Sequence, residues 1–213
     1  MKVGLAITGA SGTIIGLRVL EELAARQITV HLTISPNTVH VARLELGVDI
    51  DLETGHIQGF DDKFYEWIIY HHHTHVGAAP ASGSYDLNAV AIVPCSMGTM
   101  GRLASGTSEN LIGRMGDVAL KERRPLILVP RETPYSTIQL QNMLTLSQNG
   151  AIILPASPGF YHRPQAVNDM VDFIVQRVLQ HLGVEAKTLI GGGWGELDPI
   201  STKTHLRTGQ DAD

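Results

Sequence analysis

Apolar and polar positions change period several times along the chain, and the changes mark elements. Residues 2–7 (KVGLAI) alternate small and β-branched side chains and run into Thr8-Gly9-Ala10-Ser11-Gly12, which reads as a buried strand entering a glycine turn. Leu17, Leu20, Leu23 and Ala24 then recur at helix spacing. A second strand is predicted over 28–34 (ITVHLTI). It ends at Ser35-Pro36-Asn37, where Pro36 suits the first position of a helix continuing through Val39 to Leu46. Strand, glycine turn, helix, strand is the order of a parallel sheet with crossover helices.

Residues 48–79 are the least regular stretch, acidic at first and then carrying His71-His72-His73-Thr74-His75. They predict a short strand or helix and a long surface loop. Regularity returns at 89–94 (AVAIVP), a third buried strand. A helix is predicted over 111–121 and strands over 125–129 (PLILV) and 151–155 (AIILP). Helix spacing marks 135–149, and 165–182 is an amphipathic helix. Residues 191–199 are turn-rich, and the last residues read as a mobile tail. With no repeat and no linker, the expectation is one α/β domain with an open, doubly wound, mostly parallel sheet. It spans 1–185, and 186–213 forms a C-terminal tail partly packed at a subunit interface.

Composition narrows the function. The 213 residues are 43% hydrophobic and 17% charged, which is globular usage. Aromatics are 5% against 22 glycines, so small-residue packing and tight turns carry much of the architecture. A formal net charge of -5 argues against attraction to a nucleic-acid backbone. The single cysteine, Cys95, excludes an intramolecular disulfide and a Cys-rich zinc site, and suits a reducing compartment. No apolar run approaches the roughly 20 residues a membrane span needs, so a soluble, cytoplasmic protein is expected.

The TGASG turn presents backbone N–H groups and a hydroxyl over the carboxyl edge of a parallel sheet, and the following helix N-terminus favours a phosphate there. The turn is not GxGxxG, because Gly9, Gly12 and Gly16 have the wrong spacing, and it lacks the Lys of a P-loop. A bare structural turn is the competing reading. Ser35, at the end of the second strand, would share one phosphate with Ser11. No acidic residue follows that strand to hold a ribose, so a mononucleotide fits better than a dinucleotide.

Five blocks extend the pattern: PASGSY (80–85), VPCSMGTMGRLASG (93–106), ENLIGR (109–114), DVALKERRPLILVPRETP (117–134) and LPASPGFYHRPQ (154–165). Together with the glycine turn and Ser35 they resemble the flavin prenyltransferase family, often called UbiX, over most of the chain. The resemblance implies a Rossmann-like fold, reduced FMN as acceptor, dimethylallyl phosphate as donor, and a homo-oligomer, typically a dodecamer. It also implies a product, prenylated FMN, that serves a UbiD-type decarboxylase, and no obligatory metal.

The same resemblance implies roles. Gly9, Ala10, Ser11 and Ser35 would hold the FMN phosphate, Ser96 and Met97 would lie against the ring, and Arg114 would reach its polar edge. Lys121, Arg131, Glu132, Tyr161 and Arg177 would surround the donor phosphate, gathered near the strand ends. A converging set of cations and a phenol is what a small phosphate monoester needs. Lys121 and Arg131 would stabilise the leaving phosphate, with Glu132 moving protons as general acid–base. Trp194 would face the allylic cation or else anchor the tail. The prenyl group would pass to flavin N5, with ring closure at C6. Arg163 and His162 read as structural, and Cys95 as a small buried spacer rather than a nucleophile.

Some features depart from the family. Pro36 stands where a Lys is usual, Glu45 matches a family acid only loosely, and the histidine run lies outside every matching block. Two alternatives therefore stand beside prenyl transfer. One is a non-prenylating FMN-binding paralogue, a decarboxylase or redox flavoprotein, for which His40 sits in a suggestive place. The other is a metal-binding protein built on His71, His72, His73 and His75.

Overall fold

The computed structural model describes residues 1–186 and 189–190. Its first strand, β1 (Lys2–Ile7), leads into α1 (Thr13–Ala25), then β2 (Thr29–Ile34) and α2 (Pro36–Leu46). The chain continues through β3 (Ile68–Tyr70), β4 (Ala89–Cys95), α3 (Met97–Ala104), α4 (Leu111–Lys121), β5 (Leu126–Pro130), α5 (Thr137–Gln148), β6 (Ile152–Ile153) and α6 (Val167–His181). The strands form one parallel sheet in the order β3-β2-β1-β4-β5-β6. This is the doubly wound Rossmann arrangement, and it places its switch point between β1 and β4.

Strand alternation divides the core into two layers. Val3, Leu5 and Ile7 of β1 join Val30, Leu32, Ala91, Val93, Ile127 and Val129 under α1 and α6. The alternate residues Ala6, Val90, Ile92, Leu126 and Leu128 pack against Met100, Leu111, Met115 and Leu146 of α3, α4 and α5. Strands buried on both faces read as continuous apolar runs, which is why 89–94 and 125–129 stood out in the sequence.

The helix starts follow capping chemistry. Asn110 accepts from Gly113 N at 3.0 Å at the head of α4. Ser136 and Gln139 form a reciprocal capping box at α5. Asp169 accepts from Ala166 N at 3.0 Å at the head of α6.

One difference from the sequence reading concerns an element. Residues 97–104 form α3, where only a turn after the third strand was expected. Its few apolar residues are separated by glycines, and its start depends on the Ser96 cap, which accepts from Thr99 N at 3.3 Å. The irregular stretch 48–79 supplies the short strand expected there, β3, three residues long and set in long loops. The tail assigned to 186–213 falls almost wholly outside the described residues, as does Trp194.

Candidate functional site

The crevice opens where the chain leaves β1 and β4 at their carboxyl ends, the usual ligand position in such sheets. One buried side chain welds these exits together. Thr8, 1% exposed, donates from Oγ1 to the Pro94 carbonyl at 2.7 Å and accepts from Ser96 N at 2.8 Å. The turn after β1 and the head of α3 are thus one unit. Thr8 was not singled out in the sequence, because a threonine at a strand end carries no signature by itself.

On the β2 side, Ser35 N donates to the Ile7 carbonyl at 3.0 Å, which sets Ser35 beside the 9–12 turn. Its Oγ lies 3.0 Å from Thr38 Oγ1, itself bonded to the Ile7 carbonyl. Gly9 is required by close approach: a Cβ there would overlap the Asn37 Cβ and meet the Asn37 carbonyl carbon at 3.0 Å. The turn and the start of α2 therefore touch along their backbones, bringing Gly9, Ala10, Ser11 and Ser35 together as expected.

The start of α1 already has a partner. The Glu45 carboxylate accepts from Gly12 N at 3.0 Å and from Thr13 N at 3.2 Å. A carboxylate on these N–H groups uses the positive end of α1, and the 9–11 turn and Ser35 lie outside that contact. Glu45 was omitted from the sequence-derived set. The signal was its place on the outer turns of α2, which only the loop–helix contact makes meaningful.

These groups form a hydroxyl- and N–H-rich set with a cation nearby and no carboxylate after β2, apart from Glu45 already engaged on α1. That donor chemistry fits a phosphomonoester such as the FMN tail. Ser96 and Met97 open α3 directly across the crevice. Cys95 beside them is fully buried, and burial pushes its thiol up to about 12, so it serves as a packed spacer. Arg114 sits in the first half of α4, paired with Asp117 at 2.9 Å.

Arg131 follows β5 and reaches back over β4, its Nε donating to the Ser11 carbonyl at 3.3 Å. Glu132 accepts from Thr133 N at 3.1 Å instead of pairing with Arg131. Tyr161 lies in the loop after β6, with its ring edge-on to Phe173 at 5.8 Å between centroids. Arg131, Glu132 and Tyr161 thus follow strands at the carboxyl edge.

Lys121 and Arg177 do not join them within one chain, contrary to the expected gathering at strand ends. Lys121 ends α4, four residues before Pro125, whose carbonyl accepts from Val90 N near the start of β4. It therefore stands at the amino edge of the sheet, paired with Glu122. Arg177 lies ten residues into α6, about 15 Å along a helix that runs away from the carboxyl edge. It is exposed and donates to Gln180 Oε1 at 2.6 Å. Linear sequence could not reveal this, because both residues sit late on helices that run antiparallel to the strands.

The histidine run is divided. His71 Nε2 lies 2.9 Å from His31 Nδ1, and His72 Nδ1 lies 2.7 Å from Thr74 Oγ1. Among the described residues no group of three His, Cys, Asp or Glu side chains is arranged to hold a metal ion. His40 is exposed on α2. No described helix is long and apolar enough to cross a membrane.

A family model described as Flavoprotein matches residues 1–179. The chain is 45% identical to "Flavin prenyltransferase UbiX" of Pseudomonas aeruginosa, with 94% of this chain and 97% of that protein covered. Among solved structures, "AnUbiX (PadA1) in complex with FMN and dimethylallyl pyrophosphate" superposes with a TM-score of 0.77 at 33% identity, covering 87% of this chain and 93% of that one. A "dodecameric FMN-dependent Ubix-like Decarboxylase from Escherichia coli O157:H7" gives a TM-score of 0.76 at 34% identity, covering 87% and 95%. A crevice built from a glycine turn, three serines and a strand-end arginine, in a chain this similar over nearly its full length, places the protein in the flavin prenyltransferase family of flavoproteins.

Proposed function

We propose that the chain is a flavin prenyltransferase that joins a dimethylallyl group, delivered as its phosphate ester, to reduced FMN. The observation that carries this is the junction of Ser11, Ser96 and Arg131 at the β1/β4 switch point, through the Thr8 and Arg131 hydrogen bonds. Reduced FMN is the acceptor and supplies the nucleophilic ring positions N5 and C6. Gly9, Ala10, Ser11 and Ser35 bind its phosphate, Ser96 and Met97 orient the ring, and Arg114 holds its polar edge.

Arg131 binds the donor phosphate and stabilises the negative charge that grows on it as the allylic C–O bond breaks. Glu132 carries a proton between the departing phosphate and the acceptor. Tyr161 donates to the same phosphate. Lys121 and Arg177 complete the cluster from neighbouring subunits, since their own chain holds them away from its carboxyl edge. This makes a closed homo-oligomer, a dodecamer as in the E. coli relative, part of the catalytic design. Trp194 and the tail 186–213 are assigned to the subunit interface and the allylic group. The product, prenylated FMN, would pass to a UbiD-type decarboxylase in the cytoplasm.

The test is mass spectrometry of flavin released after anaerobic incubation with reduced FMN and either dimethylallyl phosphate or the pyrophosphate. A flavin heavier by one five-carbon prenyl unit is expected. Unchanged FMN with both donors would overturn the reading in favour of a non-prenylating flavoprotein.

A further inference from the structure

His31 lies in the middle of β2, 2% exposed, on the face that packs against α4. Both its ring nitrogens are engaged. Nδ1 lies 2.9 Å from His71 Nε2, and Nε2 lies 2.9 Å from the Tyr85 hydroxyl. The His71 ring lies nearly parallel to it, with an interplanar angle of 11° and centroids 5.2 Å apart, so the two imidazoles meet edge to edge, and Tyr85 is set at 82° to the His31 ring. His71 and Tyr85 are the two ends of the segment that carries the chain from β3 back to β4. One buried residue therefore fastens both ends of that crossover.

Between those ends, where Ala78 and Ala81 pack in one cluster with α4, two hydrogen bonds tie the crossover to the ends of α4, each two residues from a fastened end. The His73 carbonyl accepts from Leu111 N, the first residue of α4, at 2.8 Å. The Gly83 carbonyl accepts from Arg124 Nη2 at 2.7 Å, just past the end of α4. A Cβ at Gly83 would come within 2.6 Å of Lys121 Nζ, so the ammonium is seated directly on this backbone. The buried face of α4 carries Leu111, Met115 and Ala119, and the two hydrogen bonds add polar ties at its ends.

We propose that His31, His71 and Tyr85 act together as a positioning clasp, setting the crossover and through it the placement of α4 and Lys121. This rests on the reading of Lys121 as a donor-phosphate cation that serves a neighbouring subunit. Within that reading none of the three residues touches substrate. They act on catalysis through the 72–84 segment. Neutral rings give the chain a consistent set of donors and acceptors: a hydroxyl donates to one imidazole, which donates to the next, or the whole order reverses. Burial keeps both rings uncharged at neutral pH, with the nearby Lys2 ammonium and His75 acting in the same direction.

The experiment uses the full-length oligomer with Tyr85→Phe, His71→Ala and His71→Gln. It reads steady-state kinetics with dimethylallyl phosphate and hydrogen–deuterium exchange of 111–124. Tyr85→Phe removes one oxygen, and His71→Ala removes the bridging ring. Each should raise the donor KM by about three- to tenfold, the loss of one neutral hydrogen bond expressed as affinity. FMN affinity should stay unchanged, while the amides of 111–124 exchange faster. His71→Gln, which keeps a donor and an acceptor near the same place, should recover most of the wild-type KM.

A lower melting temperature with unchanged donor KM in Tyr85→Phe would reduce the network to ordinary core support and overturn the proposal. If the wild-type protein forms no prenylated flavin, the functional reading fails on its own. The clasp is then decided by exchange alone: faster exchange of 111–124 in Tyr85→Phe upholds it, and unchanged exchange overturns it.

Discussion

The Arg131 guanidinium donates through Nε to the Ser11 carbonyl over 3.3 Å, so the end of β5 reaches past β4 to the turn that follows β1. That bond uses one edge of the guanidinium and leaves both Nη groups for a ligand. The residue that braces the flavin turn is thus also the one proposed to grip the donor.

Arg131→Ala should therefore act twice, with unequal force. Donor KM should rise by about ten- to a hundredfold, the worth of a hydrogen bond to a charged group. FMN affinity should fall less, because Ser35 and the turn backbone remain. Donor titration at saturating FMN, beside flavin fluorescence quenching, measures the two effects. An equal loss in both would place Arg131 in the turn alone.

Glu132→Gln separates proton transfer from binding. The amide keeps the size and the acceptor for Thr133 N, but it cannot deliver a proton. FMN and donor binding should hold while single-turnover product formation slows by roughly 10²–10⁴-fold. Wild-type rates would remove Glu132 from the chemistry.

The separation of Lys121 from Arg131 makes a mixing experiment decisive. Assayed at donor concentrations well below the wild-type KM, Lys121→Ala and Arg131→Ala homo-oligomers should each retain only a small fraction of wild-type activity. Co-expressed in equal amounts, they should regain about a quarter of wild-type activity, since one site in four draws an intact residue from each of two subunits. No recovery in mixed oligomers would show that both residues serve the site of their own chain.

Thr8→Val tests the weld between the two strand exits. It leaves the Ser96 N–H without its acceptor, and the Pro94 carbonyl, which still accepts Thr8 N at 3.2 Å, without the hydroxyl. Stability should drop by about 1–3 kcal/mol, and flavin affinity should fall with it. Chemical denaturation and flavin titration on the same variant check both.

Acid should loosen the sheet from within. His31 is held at about 4, first by burial and then by His71 and Lys2. The unfolded chain takes up the proton near pH 6.5, well before the native state does. Native stability is thus complete above about pH 6.5 and declines as pH falls toward 4. The melting temperature should drop by a few degrees across that window, and His31→Asn should flatten the decline. A melting temperature that does not change from pH 7 to 4.5 would contradict this.

Much of the fold was legible because its strands are buried on both faces. The runs 89–94 and 125–129 carry only apolar side chains, 2–7 and 28–34 are rich in them, and Gly9 and Pro36 punctuate the latter two runs by steric necessity. The placing of Gly9, Ser35 and Ser96 just after strands was legible for the same reason, since strand ends can be counted. What escaped depends on contacts across the fold. α3 starts from a serine cap inside a glycine-rich stretch. Thr8 and Glu45 matter through partners 86 and 33 positions away. That Lys121 and Arg177 stand away from the carboxyl edge of their own chain was not legible, because residue type says what a cation can bind but not which end of a helix faces the crevice.

The contact between Gly9 and Asn37 limits how the chain can drift. A methyl group at position 9 would meet the side chain of Asn37 and also its Cα, at 3.2 Å, and its carbonyl carbon. Glycine at 37 would remove the closest clash and leave backbone contacts of 3.0 and 3.2 Å, so the first turn of α2 would still have to give by a few tenths of an ångström. Position 9 is therefore an evolutionary ratchet: a lineage that leaves glycine there must change residue 37 and also shift the start of the helix that Ser35 caps and that carries Glu45.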